Sequence, residues 1–299
     1  MIFFLFLIST TTYLLFQLRL AIAVFQIKEG NPINSSQLPG VSVLIAARNE
    51  AQNLTKYLPT ILKQDYPKFE LIVVLDRCTD DSKQALIKLK KIYPHLIFIE
   101  IEETAKNWSG KKWALHQAIA AANFEYLALT DADCWVEKNW LKHIGEHFCK
   151  EKTELILGRG LYEREAGLLN QFIRYETLYT CFQYMGFTKA FMPYMGVGRN
   201  IAYKKSFFVQ NGGFSKIAHR LSGDDDLLVN SFAKKRNTSC MIEAKTASYS
   251  NPEASFASWI NQKKRHLSAS PAYSFKSKFL LGLFHISHLF FYTTAILFI

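Results

Sequence analysis

The chain has little that would tie it together covalently. Its 299 residues include five cysteines, Cys78, Cys134, Cys149, Cys181 and Cys240, scattered and without one C-x-x-C pair. An odd, unpatterned set argues against a disulfide framework or a thiolate zinc site and suits reduced thiols. No G-x-G-x-x-G follows the first apolar run, which removes the dinucleotide fingerprint. No internal repeat or low-complexity segment interrupts the pattern, and no convincing Ser-His-Asp or Cys-His set stands out. His143 and His147 lie four apart on a predicted helix, but with no third ligand they read as solvated side chains. Negative charge is the scarcer sign, with 25 acidic against 36 basic residues and a formal charge of +11. That balance fits nucleic acid, an anionic membrane surface or an anionic substrate. No nucleic-acid module is recognisable and the basic residues cluster beside an apolar C-terminal stretch, so nucleic acid is set aside.

What is present is alternation. Apolar runs at 41–46, 69–75, 96–101 and 126–129 read as strands. Between them, 51–64, 81–93 and 112–122 carry helical spacing. Strands alternating with helices of this length predict an α/β fold with a parallel sheet and right-handed crossovers. The second half is less regular: a short strand at 155–157, a long apolar-aromatic helix at 168–184, a turn at 211–213, a helix at 226–234 and a basic amphipathic helix at 255–268. Phe182, Tyr184, Phe187, Phe191 and Tyr194 fit core or membrane contact better than an acceptor groove. Trp108 and Trp113 read as packing residues.

Two ends stand apart. Residues 2–18 are uncharged, and after Arg19 the apolar run resumes to 27, long enough to span a bilayer. It lacks a basic leader and a small-residue cleavage site, so 1–27 is expected to be a retained anchor rather than a signal peptide. Residues 28–40 form a polar linker. Residues 279–299 are a second membrane-spanning candidate, flanked by Lys263, Lys264, Arg265, Lys276 and Lys278. Basic flanks mark the cytoplasmic side, so the domain at 41–270 is expected on the cytoplasmic face of the cell membrane.

The chemistry concentrates in acids. Tyr126 to Leu129 ends in Thr130-Asp131-Ala132-Asp133. In open parallel sheets ligands bind beyond the carboxyl ends of the strands. Two carboxylates there offer hard oxygens that suit Mg²⁺ or Mn²⁺ and leave positions open for a diphosphate. The plain alternative is a polar turn with Asp133 capping a following helix. Ala46-Ala47-Arg48-Asn49-Glu50 follows the first strand with free backbone N–H groups, and Asp76 ends the second. Asp80 and Asp81 are expected to cap a helix. Gly110-Lys111 opens a helix and offers an ammonium to a phosphate. Ser222-Gly223-Asp224-Asp225-Asp226 packs three acids whose mutual repulsion raises the proton affinity of at least one, as a general base requires.

In this order, Val41 to Glu50, Asp76, Asp131-Ala132-Asp133, Gly198-Arg199-Asn200-Ile201-Ala202-Tyr203, Gly223-Asp224-Asp225 and Gln262-Lys263-Lys264-Arg265-His266 resemble a family 2 glycosyltransferase of GT-A fold. The likeness is to the membrane-anchored branch that contains cellulose, chitin and hyaluronan synthases. The resemblance implies that Ala46, Arg48, Glu50 and Asp76, with Lys111 and Asp131, bind a nucleotide sugar, a UDP-sugar by the family's usual base. It implies that Asp133 and Asp131 hold Mg²⁺ or Mn²⁺ against the diphosphate. Asp225, or Asp224 one register away, is then the base that deprotonates an acceptor hydroxyl for an inverting transfer. Gly198, Asn200, Gln262, Arg265 and His266 fall on the acceptor and diphosphate side. The branch usually reads Gln-x-x-Arg-Trp, and His266 replaces the Trp. That departure, with only two membrane segments, favours single transfer to a lipid or lipid-linked acceptor over a processive polymerase. A partner membrane subunit is compatible with so small a membrane portion.

Overall fold

The computed structural model describes residues 2–28, 33–150 and 152–298. Residues 29–32 of the predicted linker, and 1 and 299 at the ends of the two predicted membrane segments, lie outside the described residues. The chain opens with helix α1 (Ile2–Phe25) and then alternates: β1 (Val41–Ala47), α2 (Ala51–Leu62), β2 (Phe69–Asp76), α3 (Ser82–Ile92), β3 (Leu96–Ile101), α4 (Gly110–Ala121) and β4 (Tyr126–Leu129). There follow β5 (Cys134–Val136), α5 (Trp140–Phe148), β6 (Leu155–Leu157), β7 (Gly160–Tyr162), α6 (Leu168–Ala190), β8 (Ile201–Lys204) and α7 (Lys205–Gln210). The last elements are α8 (Asp226–Phe232), β9 (Thr238–Cys240), β10 (Ser248–Ser250), α9 (Phe256–Leu267) and α10 (Phe275–Phe298).

Seven strands form the main sheet in the order β3-β2-β1-β4-β8-β6-β9. The first four are mutually parallel, β8 runs antiparallel to both β4 and β6, and β9 lies parallel to β6. The β1 sequence has apolar residues on both faces because helices cover both. Alternate residues point to opposite faces. Leu44 therefore joins one core with Leu115 of α4, Tyr184 of α6 and Leu227 of α8, while Val43 and Ile45 join the other with Leu54 and Leu58 of α2 and Trp140 of α5. A small second sheet, β5-β10-β7, stands beside the main one.

This topology sets the location of the site. The parallel strands β2, β1, β4 and β6 deliver their carboxyl ends to one edge, and the reversed strand β8 delivers its amino end there. The turns after β1, β2, β4 and β6 and the turn before β8 thus meet on one rim.

The structure departs from the sequence reading in places. A strand, β5, and not a helix follows Asp133, so Asp133 caps nothing. Strands β5, β7, β8, β9 and β10 have three or four residues each, too short to carry a periodic signal. Helix α6 runs six residues past the expected end, and α10 starts four residues early, taking in Lys276 and Lys278. His147 is not a solvated side chain. It is completely buried, with Nδ1 at 2.7 Å from Ser239 Oγ and Nε2 at 3.3 Å from Glu243 Oε1. Burial lowers the pKa of its imidazole.

Helices α1 and α10 are both long and apolar enough to cross a membrane. They pack side by side, with Phe6 stacked on Phe298 and Tyr13 on Phe291, and Ser9 Oγ meets Thr294 Oγ1 at 2.6 Å. Helix α6 leans on the same pair. Leu20 of α1 is fully buried against Gly186, and Gln17 Nε2 donates to Tyr179 Oη at 3.1 Å. Arg19 stays exposed near the domain end of α1.

At the opposite rim of the sheet, Glu70 is 6% exposed and fastens β2 to its neighbours. Its carboxylate accepts from Ser42 Oγ at 2.6 Å and from Asn123 N and Nδ2 at 2.7 Å each. Glu70→Ala leaves the buried Ser42 hydroxyl without its acceptor and frees the exposed Asn123 to water, at a cost of about 1–2 kcal/mol. Chemical denaturation should show that loss, while nucleotide-sugar binding by the folded fraction stays unchanged because the site is at the other rim.

Candidate functional site

The carboxyl rim holds a cleft of about 550 Å³ whose walls include Lys111, Asp131, Asp133, Gly198, Asp224, Asp225, Gln262, Arg265 and His266. Nine of the fourteen residues singled out in the sequence thus share one cavity. The other five divide. Ala46 and Asp76 lie at the carboxyl ends of β1 and β2, Arg48 and Glu50 on the turn after β1, and Asn200 is turned away.

The β1 and β2 turns are clamped to each other. Asn49 adopts φ 57° and its Oδ1 accepts from Thr79 N at 2.8 Å. Asp80 does the capping expected of the acidic run: Oδ1 accepts from Ser82 N at 3.1 Å and Oδ2 from Ala51 N at 3.0 Å, so one carboxylate serves the starts of α3 and α2 together. Asp81 precedes α3 without a side-chain bond of its own. Asp76 is nearly buried and carries Arg77, Nε to Oδ1 2.7 Å and Nη2 to Oδ2 3.1 Å. Arg48 is exposed and Ala46 half-buried. The Glu50 carboxyl is pushed up, by burial first and then by Asp133 and Asp131, against the opposing Asn53 amide. That repulsion shows the β1 turn and the β4 turn facing one another.

The acids are organised by two lysines from the first turn of α4. Lys111 Nζ lies 2.9 Å from Asp131 Oδ1 and 3.1 Å from Asp224 Oδ2. Burial alone would lower its pKa; Asp131, Asp224 and Asp225 overcome that and raise it well above the usual lysine range. Lys112 is fully buried and donates to the main-chain oxygens of Arg220 at 2.7 Å and Ser222 at 2.9 Å. It fastens the loop before the acid triplet from below. Gly223 then takes φ +90°, and a Cβ there would sit 2.5 Å from Leu227. A tight left-handed turn is what brings Asp224 to Asp226 into the cleft.

The triplet behaves as crowded acids should. Asp225 is the N-cap of α8: its Oδ1 accepts from Asp226 N at 2.7 Å and its Oδ2 from Gly198 N at 2.5 Å. Burial, then Asp224 and Asp226, push its carboxyl up to about 8. Asp226 is pushed up to about 6, chiefly by burial, and accepts from Tyr273 Oη at 2.8 Å. Asp224 goes the other way: burial would raise it, but Lys111 and Lys112 hold it below the usual range. One acid is thus kept ionised by its lysines and its neighbour is kept basic.

Asp131, Asp133 and Cys134 place one ligand atom each within 4.8 Å of one another. Cys134 does not belong to the donor set, because burial first and then Asp133 push its thiol well above the usual range. The remaining donors are carboxylate oxygens, which fit Mg²⁺ or Mn²⁺ and not a thiophilic ion. Burial and Asp131 raise Asp133, the mark of carboxylates that gain by sharing a cation.

On the far wall, Gln262 is engaged at both ends. Its Oε1 accepts from Tyr162 Oη at 3.0 Å and its Nε2 donates to Glu253 at 3.0 Å. Tyr162 in turn lies under the guanidinium of Arg199 at 4.2 Å. Arg199 Nη1 and Nη2 donate to Ser250 Oγ and Gly160 O at 2.9 Å each. Gln262 therefore positions an aromatic–arginine stack in the cleft wall, and Arg265 and His266 from the same helix face the opening. His266 is held below its usual range by the desolvating cleft, Lys263, Arg265, Arg199 and Lys111, so a neutral imidazole stands where the branch has Trp.

Asn200 does not line the acceptor side. It is 1% exposed; its Oδ1 accepts from Trp140 Nε1 at 3.0 Å and its Nδ2 donates to Arg159 O and Thr246 O at 2.7 Å each. With its amide fully used it is a structural rivet joining α5, β7 and the turn before β8. Tyr184, Phe187 and Tyr194 are core, as expected, and Trp108 packs on Trp113 at 5.3 Å. Sequence reasoning missed Lys112, Arg199, Tyr162 and Tyr273. Arg199 carried a signal, since it sits inside the Gly198-Arg199-Asn200 motif; Lys112 carried none that distinguishes it from Lys111.

The sequence model "Glycosyl transferase family 2" matches residues 42–210, more than half of the chain. Among curated proteins, a poly-β-1,6-N-acetyl-D-glucosamine synthase of Staphylococcus aureus (strain COL) is 28% identical over 152 residues, covering 50% of this chain and 36% of that protein. The synthase of the same name from Staphylococcus epidermidis is 28% identical over 172 residues, covering 54% of this chain and 40% of that one. The match thus spans well under half the length of these relatives. Among solved structures, the mannosyltransferase PcManGT from Pyrobaculum calidifontis in complex with GDP-Man and Mn²⁺ superposes with a TM-score of 0.69 at 20% identity, covering 99% of this chain and 84% of that one. The 1–349 portion of S. aureus TarS in complex with UDP-GlcNAc gives 0.52 at 19% identity, over 72% of this chain and 59% of that one. The matched residues contain the β4 turn acids, and the sheet has the fold of these structures: the chain belongs to glycosyl transferase family 2 and has its GT-A fold.

Proposed function

We propose that the protein is a membrane-anchored, inverting glycosyltransferase that moves a sugar from a nucleotide-diphosphate sugar to an acceptor hydroxyl, with Asp225 as general base. The observation that carries this is the pairing inside the triplet. Asp224 is kept ionised by Lys111 and Lys112, while its neighbour Asp225 is pushed up to about 8 and lines the same cleft. A base near the working pH is the one that transfers protons best.

The turns after β1 and β2, with Glu50 and Asp76, form the edge for base and ribose. Asp131 and Asp133 would hold Mg²⁺ or Mn²⁺, which when bound supplies charge neutralisation for a diphosphate leaving group. Lys111, already seated between Asp131 and Asp224, is the protein's own cation at that place. Arg265 faces the opening and offers a guanidinium to phosphate oxygens. Asp225 Oδ2 takes the acceptor proton while Gly198 N–H and the Asp226 N–H keep the carboxylate aimed, and the acceptor oxygen attacks the anomeric carbon from the face opposite the leaving group. The neutral His266, in place of a Trp, favours single transfer to a lipid or lipid-linked acceptor, with the domain on the cytoplasmic side. The synthase relatives support a second reading, polymer extension, which differs in product length.

Detergent-solubilised protein should release one nucleoside diphosphate from a panel of nucleotide sugars, UDP-sugars included, in the presence of Mn²⁺ and not in EDTA. Asp133→Ala should lose that release. Supplying membrane lipid extract should then yield a product one sugar heavier by mass spectrometry; a ladder of products would instead establish the polymerase reading. No release with any donor would sink the transferase assignment.

Asp225→Asn should retain donor affinity and lose about 10²–10⁴-fold in turnover. Its stability profile has a definite sign. A carboxyl whose folded pKa is raised stabilises below the unfolded value and loses that contribution as pH rises to about 8. Thermal denaturation from pH 5 to 9 should therefore show the Asn variant gaining on wild type with rising pH, by at most about 1.4 kcal/mol per unit. A constant difference across that range would show that Asp225 titrates normally.

Lys112→Met should free the 220–222 turn and lower kcat by up to about a hundredfold, since 1 Å of displacement in a catalytic group costs on that order. Because Lys112 is buried beneath the cleft, KM for the donor should move much less than kcat.

A further inference from the structure

A second cavity of about 350 Å³ lies away from the cleft, between the domain end of α1 and the outer face of α6. Its walls are Val24 from α1, Leu178, Phe182 and Met185 among others from α6, and Ile242; Arg159 is the one charged residue in the lining. We infer that this cavity holds an acyl chain of an anionic bilayer phospholipid, with the lipid phosphate on Arg159. The inference rests on α1 being a membrane span and not on the transferase reading.

Three observations converge. First, the cavity is at the right level. Val24 is the penultimate residue of α1, so the cavity sits where the membrane segment meets the domain, at headgroup depth. Its rim, Tyr175 at 68% exposure and Leu178 at 53%, continues outward along α6 into exposed Phe172 and Leu168. An apolar cavity opening onto such a face is continuous with the bilayer and not with water.

Second, the charge at its inner end is incompletely used. Arg159 Nη2 donates to Glu243 O at 2.6 Å, but its Nε is buried with no hydrogen-bond partner. A buried guanidinium N–H without an acceptor costs free energy that a phosphate oxygen recovers through a charge-assisted bond. A diglyceride offers that N–H only neutral ester and hydroxyl oxygens, weaker acceptors for a guanidinium than a phosphate, and a soluble anion would gain nothing from the apolar walls.

Third, the cavity is walled off from the catalytic cleft. Asn200 Nδ2 donates to Arg159 O and Arg199 Nη2 to Gly160 O, so the main chain at 159–160 is pinned from the cleft side while the Arg159 side chain lines the other. The occupant is therefore a resident bilayer lipid and not the sugar acceptor. The shared strand gives it a route to steady Arg199.

The test uses the full chain, delipidated in detergent, with short-chain phosphatidylglycerol, phosphatidylcholine and diacylglycerol as probes. Native mass spectrometry counts bound lipid and thermal shift reads affinity. Wild type should retain one phosphatidylglycerol in preference to the other two. Arg159→Gln should weaken that binding about tenfold or more and erase the preference over phosphatidylcholine. Leu178→Trp fills the cavity from a half-exposed position, so it is compatible with folding, and should abolish retention of any lipid. Equal retention by wild type and both variants would mean a non-specific lipid belt, and preference for diacylglycerol would mean that Arg159 does not hold a phosphate; either overturns the proposal. Should Arg159→Gln fail to fold, Leu178→Trp alone decides. Because no donor or turnover is involved, failure here leaves the transferase reading standing, and loss of transferase activity leaves this one untouched.

Discussion

Five carboxylates around one cleft, Asp131, Asp133, Asp224, Asp225 and Asp226, are the constraint on which this molecule turns. Left alone in a partly desolvated cavity they would repel one another and take up protons. The chain answers with Lys111 and Lys112, adjacent residues whose side chains leave α4 in different directions. Lys111 joins the two acid groups through Asp131 and Asp224. Lys112 never enters the cleft; it holds the backbone that presents the triplet. The result is an asymmetry between neighbours, Asp224 below the carboxylate range and Asp225 far above it. Pairs of titratable groups driven apart by their surroundings are the usual sign of divided roles. Here the division follows from which carboxylate the Lys111 ammonium can reach.

The sheet makes this arrangement possible by reversing one strand. With β1, β2 and β4 parallel, their carboxyl ends bring Glu50, Asp76 and the Asp131–Asp133 pair to one rim. A further parallel strand would have needed another crossover and would have pointed its amino end away. Because β8 is antiparallel, the turn at 198–200 arrives on the same rim, so Gly198 N–H meets Asp225 and Arg199 joins the cleft wall. Asn200 pays for that turn by spending its whole amide on Trp140, Arg159 and Thr246.

This explains how far the sequence could be read. The first half was legible because strands of six to eight residues and helices of eleven or twelve carry their periodicities in full. The acids at strand ends were legible because the open-sheet rule assigns a location before any contact is known. The direction of the triplet's raised proton affinity followed from mutual repulsion, although burial, which the sequence does not give, is its larger cause. What escaped was set by tertiary neighbours. Strands of three residues have no period to detect. Asn200 and Gln262 look alike as polar residues in motifs, yet one is sealed in the interior and the other props up Tyr162. Lys111 and Lys112 differ only in the direction of the side chain on the first turn of α4. His147 read as solvated because its partners, Ser239 and Glu243, lie about ninety residues downstream.

The long helix α6 ties these levels together. Its inner face is sheet-domain core, through Tyr184 and Phe187, and Tyr184 Oη donates to Gly158 O at 2.6 Å, beside the segment whose next residues carry Arg159 and receive Arg199. Its outer face meets α1 and α10 through Gly186 against Leu20 and through Tyr179, whose Oη lies 3.1 Å from Gln17 Nε2 and 2.8 Å from His288 Nε2. A glycine at 186 lets Leu20 approach closely, as small residues do where membrane helices pack. One rigid element thus bears on the apolar helix pair on one side and on the cleft wall on the other. A cleft wall so attached is positioned by the same packing that holds the domain to α1 and α10. The apolar helices α1 and α10 are therefore part of the framework that fixes the 158–160 segment, and through it Arg199 and Tyr162.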